Sequence, residues 1–184
     1  GMICHEFKGG IGTASRVTAA GHTVGVLVQA NYGLRGQLRI AGVPVGREIP
    51  EGARRRDETG SIIVVIATDA PVLPHQLKRL ARRASLGLGR MGSVSGDGSG
   101  DIFLAFSTAN DVPATRGQPG TVRMMNTEDL NLLFTGVGEA TEEAIVNALV
   151  AAEDMTGVEG REVKALPHDR LRAVLKKYGR RAGP

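Results

Sequence analysis

The sequence predicts a layered sandwich of strands and helices, α/β or α+β in class, and three observations carry that expectation. Residues 61–68 (SIIVVIAT) and 101–107 (DIFLAFS) are apolar enough to be buried strands. Three other segments carry apolar side chains at helical spacing along one face only. Aromatic residues make up 3% of the chain and tryptophan is absent, so the core rests on Val, Ile, Leu and Ala, which suit packed sheets and helices.

Taken in order, residues 23–30 (TVGVLVQA) form a β-branched apolar run, and residues 37–40 alternate before the turn-rich AGVPVG. The first 60 residues therefore read as strands and turns. Residues 50–60 (PEGARRRDETG) are charged, poor in apolar groups and end in glycine, which predicts an exposed loop. The run at 61–68 is the most hydrophobic of the chain, and its continuous apolar character predicts a strand covered on both faces. Pro74 opens a helix over 74–86, with Leu77, Leu80, Ala81 and Ala84 on one side. A glycine–serine stretch over 87–100 leads into the strand at 101–107. Thr141 reads as an N-cap, with Glu142 and Glu143 in the first turn of a helix over 141–153. Its stripe is Ile145, Ala148, Leu149 and Ala152. A last helix over 167–178 starts near Pro167 and aligns Leu171, Val174, Leu175 and Tyr178.

Composition narrows the function classes. A chain of 184 residues is one domain or a large piece of a longer protein. With 41% hydrophobic and 23% charged residues, wholesale disorder is excluded. No apolar run approaches the roughly 18 residues of a membrane span, and no secretory layout opens the chain. Cys4 is the only cysteine, which excludes a disulfide framework and makes a reducing, cytoplasmic setting the expectation. The net charge of +4 gathers in short groups: Arg54, Arg55 and Arg56; Arg79, Arg82 and Arg83; and the segment from Lys176 to Arg181. Readers of single-stranded nucleic acid interleave aromatics with such groups, and here almost none exist, so solvated helix faces are expected instead. Neither nucleic acid nor a membrane is an expected partner.

Motifs for chemistry are few. Residues 87–92 (GLGRMG) match the dinucleotide pattern GxGxxG, but they follow a helix, whereas the pyrophosphate site needs a strand before a helix N-terminus. Cys4, His5 and Glu6 invite a metal or thiol site, yet neighbours on a strand point to opposite faces, so a buried Cys beside a packed His is the plainer reading. No motif asks for a cofactor or a metal. Thr59-Gly60-Ser61 is the most informative junction: a charged loop ends in glycine, and a serine stands at the mouth of the most buried strand. From spacing alone this is a loop-to-strand turn. It also suits self-cleavage, in which the Ser61 hydroxyl attacks the Gly60 carbonyl and the freed α-amine, with an ordinary pKa near 8, becomes the base for that hydroxyl. Glycine at position 60 would permit the strained backbone such an attack needs.

Longer segments then carry a resemblance. GMICHEFKGGIGTASR (1–16), VLVQANYG (26–33), IAGVPVGR (40–47), GSIIVVIATDAP (60–71), GSGDIFLAFSTAN (98–110) and ALPHDRL (165–171) resemble, in order, the second half of the DmpA-type family of L-aminopeptidase/D-Ala-esterase/amidases, which includes β-peptidyl aminopeptidases. The resemblance implies a four-layer αββα sandwich, of which this chain holds only part. It implies a precursor that cuts itself between Gly60 and Ser61, so that residues 1–60 correspond to the end of an α chain and 61–184 to a β chain. Ser61 would be the nucleophile. Asn31 would help form the oxyanion hole, and Ser99 and Asp101 would orient the hydroxyl and hold the amino group. The implied activity is an aminopeptidase or amidase acting on small peptides, amides or esters.

The chain opens inside a family motif, which implies a truncated or internally started product. Family members carry a comparable preceding half that supplies part of both sheets and a tyrosine of the oxyanion hole, and neither Tyr32 nor Tyr178 lies in that tyrosine's motif. A partial sandwich exposes apolar strand faces, so association with another copy or with a complementary N-terminal chain is expected. Two readings stay open: a serine hydrolase fragment that is active only in a complete sandwich, and a catalytically silent half that works through association. Without the rest of the sandwich the Gly60–Ser61 bond is expected to stay uncut.

Overall fold

The computed structural model describes residues 1–53, 60–111 and 117–180. Arg54, Arg55, Arg56, Thr59 and Arg181, singled out above, lie outside the described residues. A short hairpin comes first, β1 (Ile3–Cys4) and β2 (Phe7–Lys8). The main sheet has four strands in the order β3 (Gly10–Val17), β4 (Thr23–Asn31), β5 (Ser61–Thr68) and β6 (Ile102–Ser107). The first two pairings are antiparallel and β5–β6 is parallel. Between β4 and β5 lies α1 (Val45–Glu48); α2 (Pro74–Ala81) and α3 (Ala84–Arg90) cross from β5 to β6. A long helix, α4 (Leu130–Val150), a second hairpin of β7 (Met155–Thr156) and β8 (Glu162–Val163), and α5 (His168–Lys177) complete the chain.

The helices α2, α3 and α4 form a layer on one side of the main sheet. Val24, Val26, Val28, Ala30, Ile62, Val64 and Ile66 point into that layer and are buried. Gly12 lets α4 lie directly on β3, because a Cβ there would run into the Ala144 carbonyl and the Ala148 amide. Arg16 fastens the same contact by pairing with Glu139 at 3.2 Å and Glu143 at 2.6 Å. Below it, α5 docks on α1 through buried Leu171 and Val174, with Lys177 and the Tyr178 hydroxyl both held by Glu48.

The other face of the sheet is uncovered among the described residues. Ile11, Leu27, Ile63, Ile102, Leu104 and Phe106 form an apolar row there, with Ile102 58% and Leu104 55% exposed. This corrects the expectation that β5 is covered on both sides: its apolar residues do fill both faces, but only one has a layer on it. β6 is an edge strand whose residues are exposed or half-buried, which corrects the expectation that 101–107 is a buried, central strand.

Four further expectations are corrected. Residues 37–40 form no strand; a single 3-10 turn (Arg35–Gln37) and an isolated bridge from Ile40 to Val43 occupy that region, followed by α1. The helix expected over 74–86 is broken into α2 and α3. The glycine–serine stretch is helical as far as Arg90, and a Cβ at Gly87 would come within 2.6 Å of Thr141 Cβ, so Gly87 lets α3 pack closely on α4. Thr141 is no N-cap but a buried residue inside α4, which begins at Leu130; Gly136 and Gly138 hide the periodicity of its first turns.

The β1–β2 hairpin turns through two consecutive non-glycine residues in the left-handed region, His5 (φ 48°) and Glu6 (φ 61°). Each costs about 1–2 kcal/mol. Five bonds from one neighbouring segment hold the turn. The His5 amide donates to the Tyr32 carbonyl at 2.7 Å, and His5 Nδ1 donates to the Leu34 carbonyl at 3.0 Å. The Arg35 amide donates to Glu6 Oε2 at 2.9 Å, and its guanidinium donates to the His5 and Glu6 carbonyls at 2.9 and 2.7 Å. That guanidinium also reaches the Ile49 and Glu51 carbonyls at 3.0 and 2.8 Å and stacks over Phe7. Burial lowers the Arg35 pKa to about 10, which leaves it charged at neutral pH.

Two predictions follow from this packing. Gly12→Ala is expected to destabilise the fold by about 1–3 kcal/mol, read as a lower urea midpoint at unchanged slope. Burial pushes the His5 imidazole from 6.5 down to about 4. The unfolded chain then binds the extra proton first, so this contribution is complete above about pH 6.5 and is lost as pH falls toward 4. Stability is expected to fall by roughly 1–3 kcal/mol across that window, and His5→Gln is expected to flatten the fall.

Candidate active site

Three strand ends meet at one end of the sheet. β4 ends at Asn31, while β5 begins at Ser61 and the parallel β6 begins just after Asp101. The antiparallel register sets Asn31 directly opposite Ser61, so both side chains emerge side by side on the uncovered face. The segment Ser99-Gly100-Asp101 enters β6 against this pair. The structure therefore brings together Asn31, Ser61, Ser99 and Asp101, which lie far apart in sequence.

Ser61 is half-buried, and its Oγ accepts the Gly100 amide at 2.9 Å. Among the described residues no acceptor takes the Ser61 hydroxyl proton. Asp101 is held on both oxygens. Oδ1 accepts the Ser99 hydroxyl at 2.5 Å and the Ile62 amide at 3.1 Å, and Oδ2 accepts the Ser95 hydroxyl at 3.3 Å. Ser99 and Asp101 thus reach Ser61 through the amides of Gly100 and Ile62, not by a direct hydrogen bond to its hydroxyl. Asn31 Oδ1 accepts the Ile3 amide at 2.9 Å.

Gly60 is buried where the chain enters this cluster. A Cβ there would strike the Asn31 carbonyl oxygen and come within 2.9 Å of Tyr32 Cα. Its φ is not in the left-handed region, so glycine is needed here for close approach and not for unusual torsion. That corrects the reason expected from the sequence while keeping the residue.

The remaining candidates do not join the site as reactive groups. Burial raises the Cys4 thiol far above its ordinary pKa, which leaves it protonated and inert. His5 is neutral, with Nε2 buried and unpaired. His22 lies 3.6 Å from Asp69, and His168 bonds the Val150 carbonyl at 3.0 Å. Among the described residues no cluster of three or more His, Cys, Asp or Glu could hold a metal, and no helix is long and apolar enough to cross a membrane. Sequence reasoning missed the Gly100, Ile62 and Ile3 amides and the Ser95 hydroxyl. Backbone donors leave no residue-type signal, and Ser95 sits in a stretch of many serines and glycines.

The chain is 54% identical to beta-peptidyl aminopeptidase BapA of Sphingosinicella microcystinivorans, over 99% of this chain and 51% of that protein. It is 50% identical to beta-peptidyl aminopeptidase BapA of Sphingosinicella xenopeptidilytica, over 96% of this chain and 48% of that protein. Its fold matches the L-aminopeptidase D-Ala-esterase/amidase of Ochrobactrum anthropi, described as a prototype for the serine aminopeptidases and a variant among the Ntn hydrolase folds. That match has a TM-score of 0.91 and 54% identity, over 99% of this chain and 52% of that one. The chain thus spans about half the length of the curated relatives it matches and carries about half of that fold. The pattern of the peptidase family S58 matches residues 1–163. With most of its length matched by that pattern, the chain belongs to peptidase family S58.

Proposed function

We propose that this chain is part of a self-processing aminopeptidase or amidase whose nucleophile is Ser61. The observation that carries the reading is the register of β4 on β5, which sets the Asn31 carboxamide beside the Ser61 hydroxyl at the point where Gly60 alone fits. Processing starts when Ser61 Oγ attacks the Gly60 carbonyl carbon. The C–N bond breaks, the nitrogen takes a proton, and the acyl group now rests on Oγ as an ester. Water hydrolyses that ester, leaving a carboxylate on Gly60 and a free α-amine and hydroxyl on Ser61. On this reading residues 1–60 close an α chain and 61–184 form the β chain.

In the processed enzyme the α-amine of Ser61 takes the hydroxyl proton as Oγ attacks a substrate amide or ester, and returns it to the leaving amine. The Asn31 amide donates to the developing oxyanion, and an interaction of this kind is made fully only in the transition state. Asp101 anchors the loop that presents the Gly100 amide to Oγ, and its charge favours an ammonium group at the site. Substrates of the class cleaved are small peptides, amides or esters with a free amino end, as the relatives' names suggest.

The uncovered apolar face supports a second half of the sandwich seated on it, supplied by a complementary N-terminal chain. That same face favours the second reading, a half that is silent until it associates. Positioning decides self-cleavage, and small displacements cost orders of magnitude in rate. The isolated chain is therefore expected to keep Gly60–Ser61 intact and to hydrolyse no β-amino-acid or D-alanine amide. Mass spectrometry and N-terminal sequencing check this, since a fragment beginning at Ser61 would overturn it. Assembled with the N-terminal half of a relative, the chain is expected to cut itself. Ser61→Ala is expected to abolish cutting, and Gly60→Ala to slow it at least about 100-fold. Cutting that survives Ser61→Ala would sink the assignment of the nucleophile.

A further inference from the structure

We infer that the backbone amide of Ile3 is a positioning group of this site, because it fixes which end of the Asn31 carboxamide faces Ser61. The inference rests on the aminopeptidase reading above and deepens it. A carboxamide has two ends of similar size and opposite chemistry: the oxygen only accepts and the nitrogen only donates. Only the nitrogen end can stabilise an oxyanion, so an Asn that rotates freely about its last torsion presents the useless end part of the time.

The Ile3 amide removes that freedom. It donates to Asn31 Oδ1 at 2.9 Å and has nothing to offer the nitrogen end, since a flipped carboxamide would set donor against donor. With Oδ1 committed, Nδ2 is the end left for the Ser61 side, and among the described residues no acceptor takes its hydrogens. Asn31 and Ser61 are direct partners across β4 and β5, which keeps that end within reach of the chemistry.

The donor itself is rigidly placed. Ile3 pairs with Lys8 in the β1–β2 hairpin, whose His5–Glu6 turn is strained at both residues. The bonds that hold the turn all come from Tyr32, Leu34 and Arg35, the residues directly after Asn31. Gly9 continues the same fit, since a Cβ there would run into the Ala30 carbonyl, directly before Asn31. The hairpin is thus fitted to both flanks of one residue and gives that residue's side chain a hydrogen bond. Strain that persists beside a candidate catalytic group, held by surrounding bonds, fits alignment better than packing alone.

The test has two arms. In the first, amide hydrogen exchange is followed at Ile3 in the chain as it stands and in Asn31→Ala. Exchange is expected to rise about tenfold or more in Asn31→Ala, whereas equal rates would overturn the inference. Asn31→Asp, which still accepts from Ile3 but cannot donate, is expected to keep the protection. In the second arm the Ile3 amide is replaced by a backbone ester, which deletes the N–H and keeps the side chain, and the enzyme is assembled with its complementary half. A fall in kcat of about tenfold or more with KM within twofold and Tm nearly unchanged is expected, the pattern of a group that acts only in the transition state. An unchanged kcat, or kcat, KM and Tm failing together, would overturn the inference. If the unaltered assembled enzyme hydrolyses nothing, the aminopeptidase reading fails by itself, and the exchange arm alone decides the orientation of Asn31.

Discussion

Register between β4 and β5 decides at once which side chains reach the core and which meet at the end of the sheet, because side chains alternate strictly along a strand. In the observed pairing Val24, Val26, Val28 and Ala30 share the helix-covered face with Ile62, Val64 and Ile66. The same alternation sends Asn31 and Ser61 together to the other face. A slip of one residue would move the whole apolar set outward and separate the two polar ones. The hydrophobic effect that fixes the core therefore also fixes the site, with no further device needed to bring Asn31 to Ser61.

What the register does not supply is orientation, and the N-terminal hairpin adds it. Arg35 links the hairpin carbonyls of His5 and Glu6 to those of Ile49 and Glu51, on the segment that leads toward Gly60. A planar guanidinium with donors on several edges suits this work, and a lysine could not span four acceptors in fixed directions. The left-handed turn at His5 and Glu6 is tolerated because so many bonds from residues 32–35 hold it. Around Asn31 these polar contacts to backbone add to the packing of buried Cys4, Phe7, Ala30 and Tyr32.

The uncovered face sets the limit on what this half-fold can do. Its apolar row begins at the edge strand β3 with Ile11, passes through Leu27 and Ile63, and reaches Ile102, Leu104 and Phe106 on β6. The site sits at the end of that face, so whatever layer covers the row also walls the site and excludes water from it. On the aminopeptidase reading proposed above, the event that buries the apolar strands would also lower the dielectric around Ser61.

The sequence by itself determined the strands at 61–68 and 101–107, the helix near 167–178, and the family, because long apolar runs and extended motifs are local in the chain. It also pointed to Ser61, Asn31, Ser99 and Asp101 through that resemblance. Only the tertiary structure decided that α4 starts at Leu130, since glycines at 136 and 138 break the apolar rhythm that marks a helix in sequence. The same holds for Gly12, Gly60 and Gly87, whose need for a missing Cβ is set by backbone from remote segments. The amides of Ile3, Ile62 and Gly100 are the clearest case. Almost every residue carries such a donor, so only the folded path of the chain can say which of them face the site.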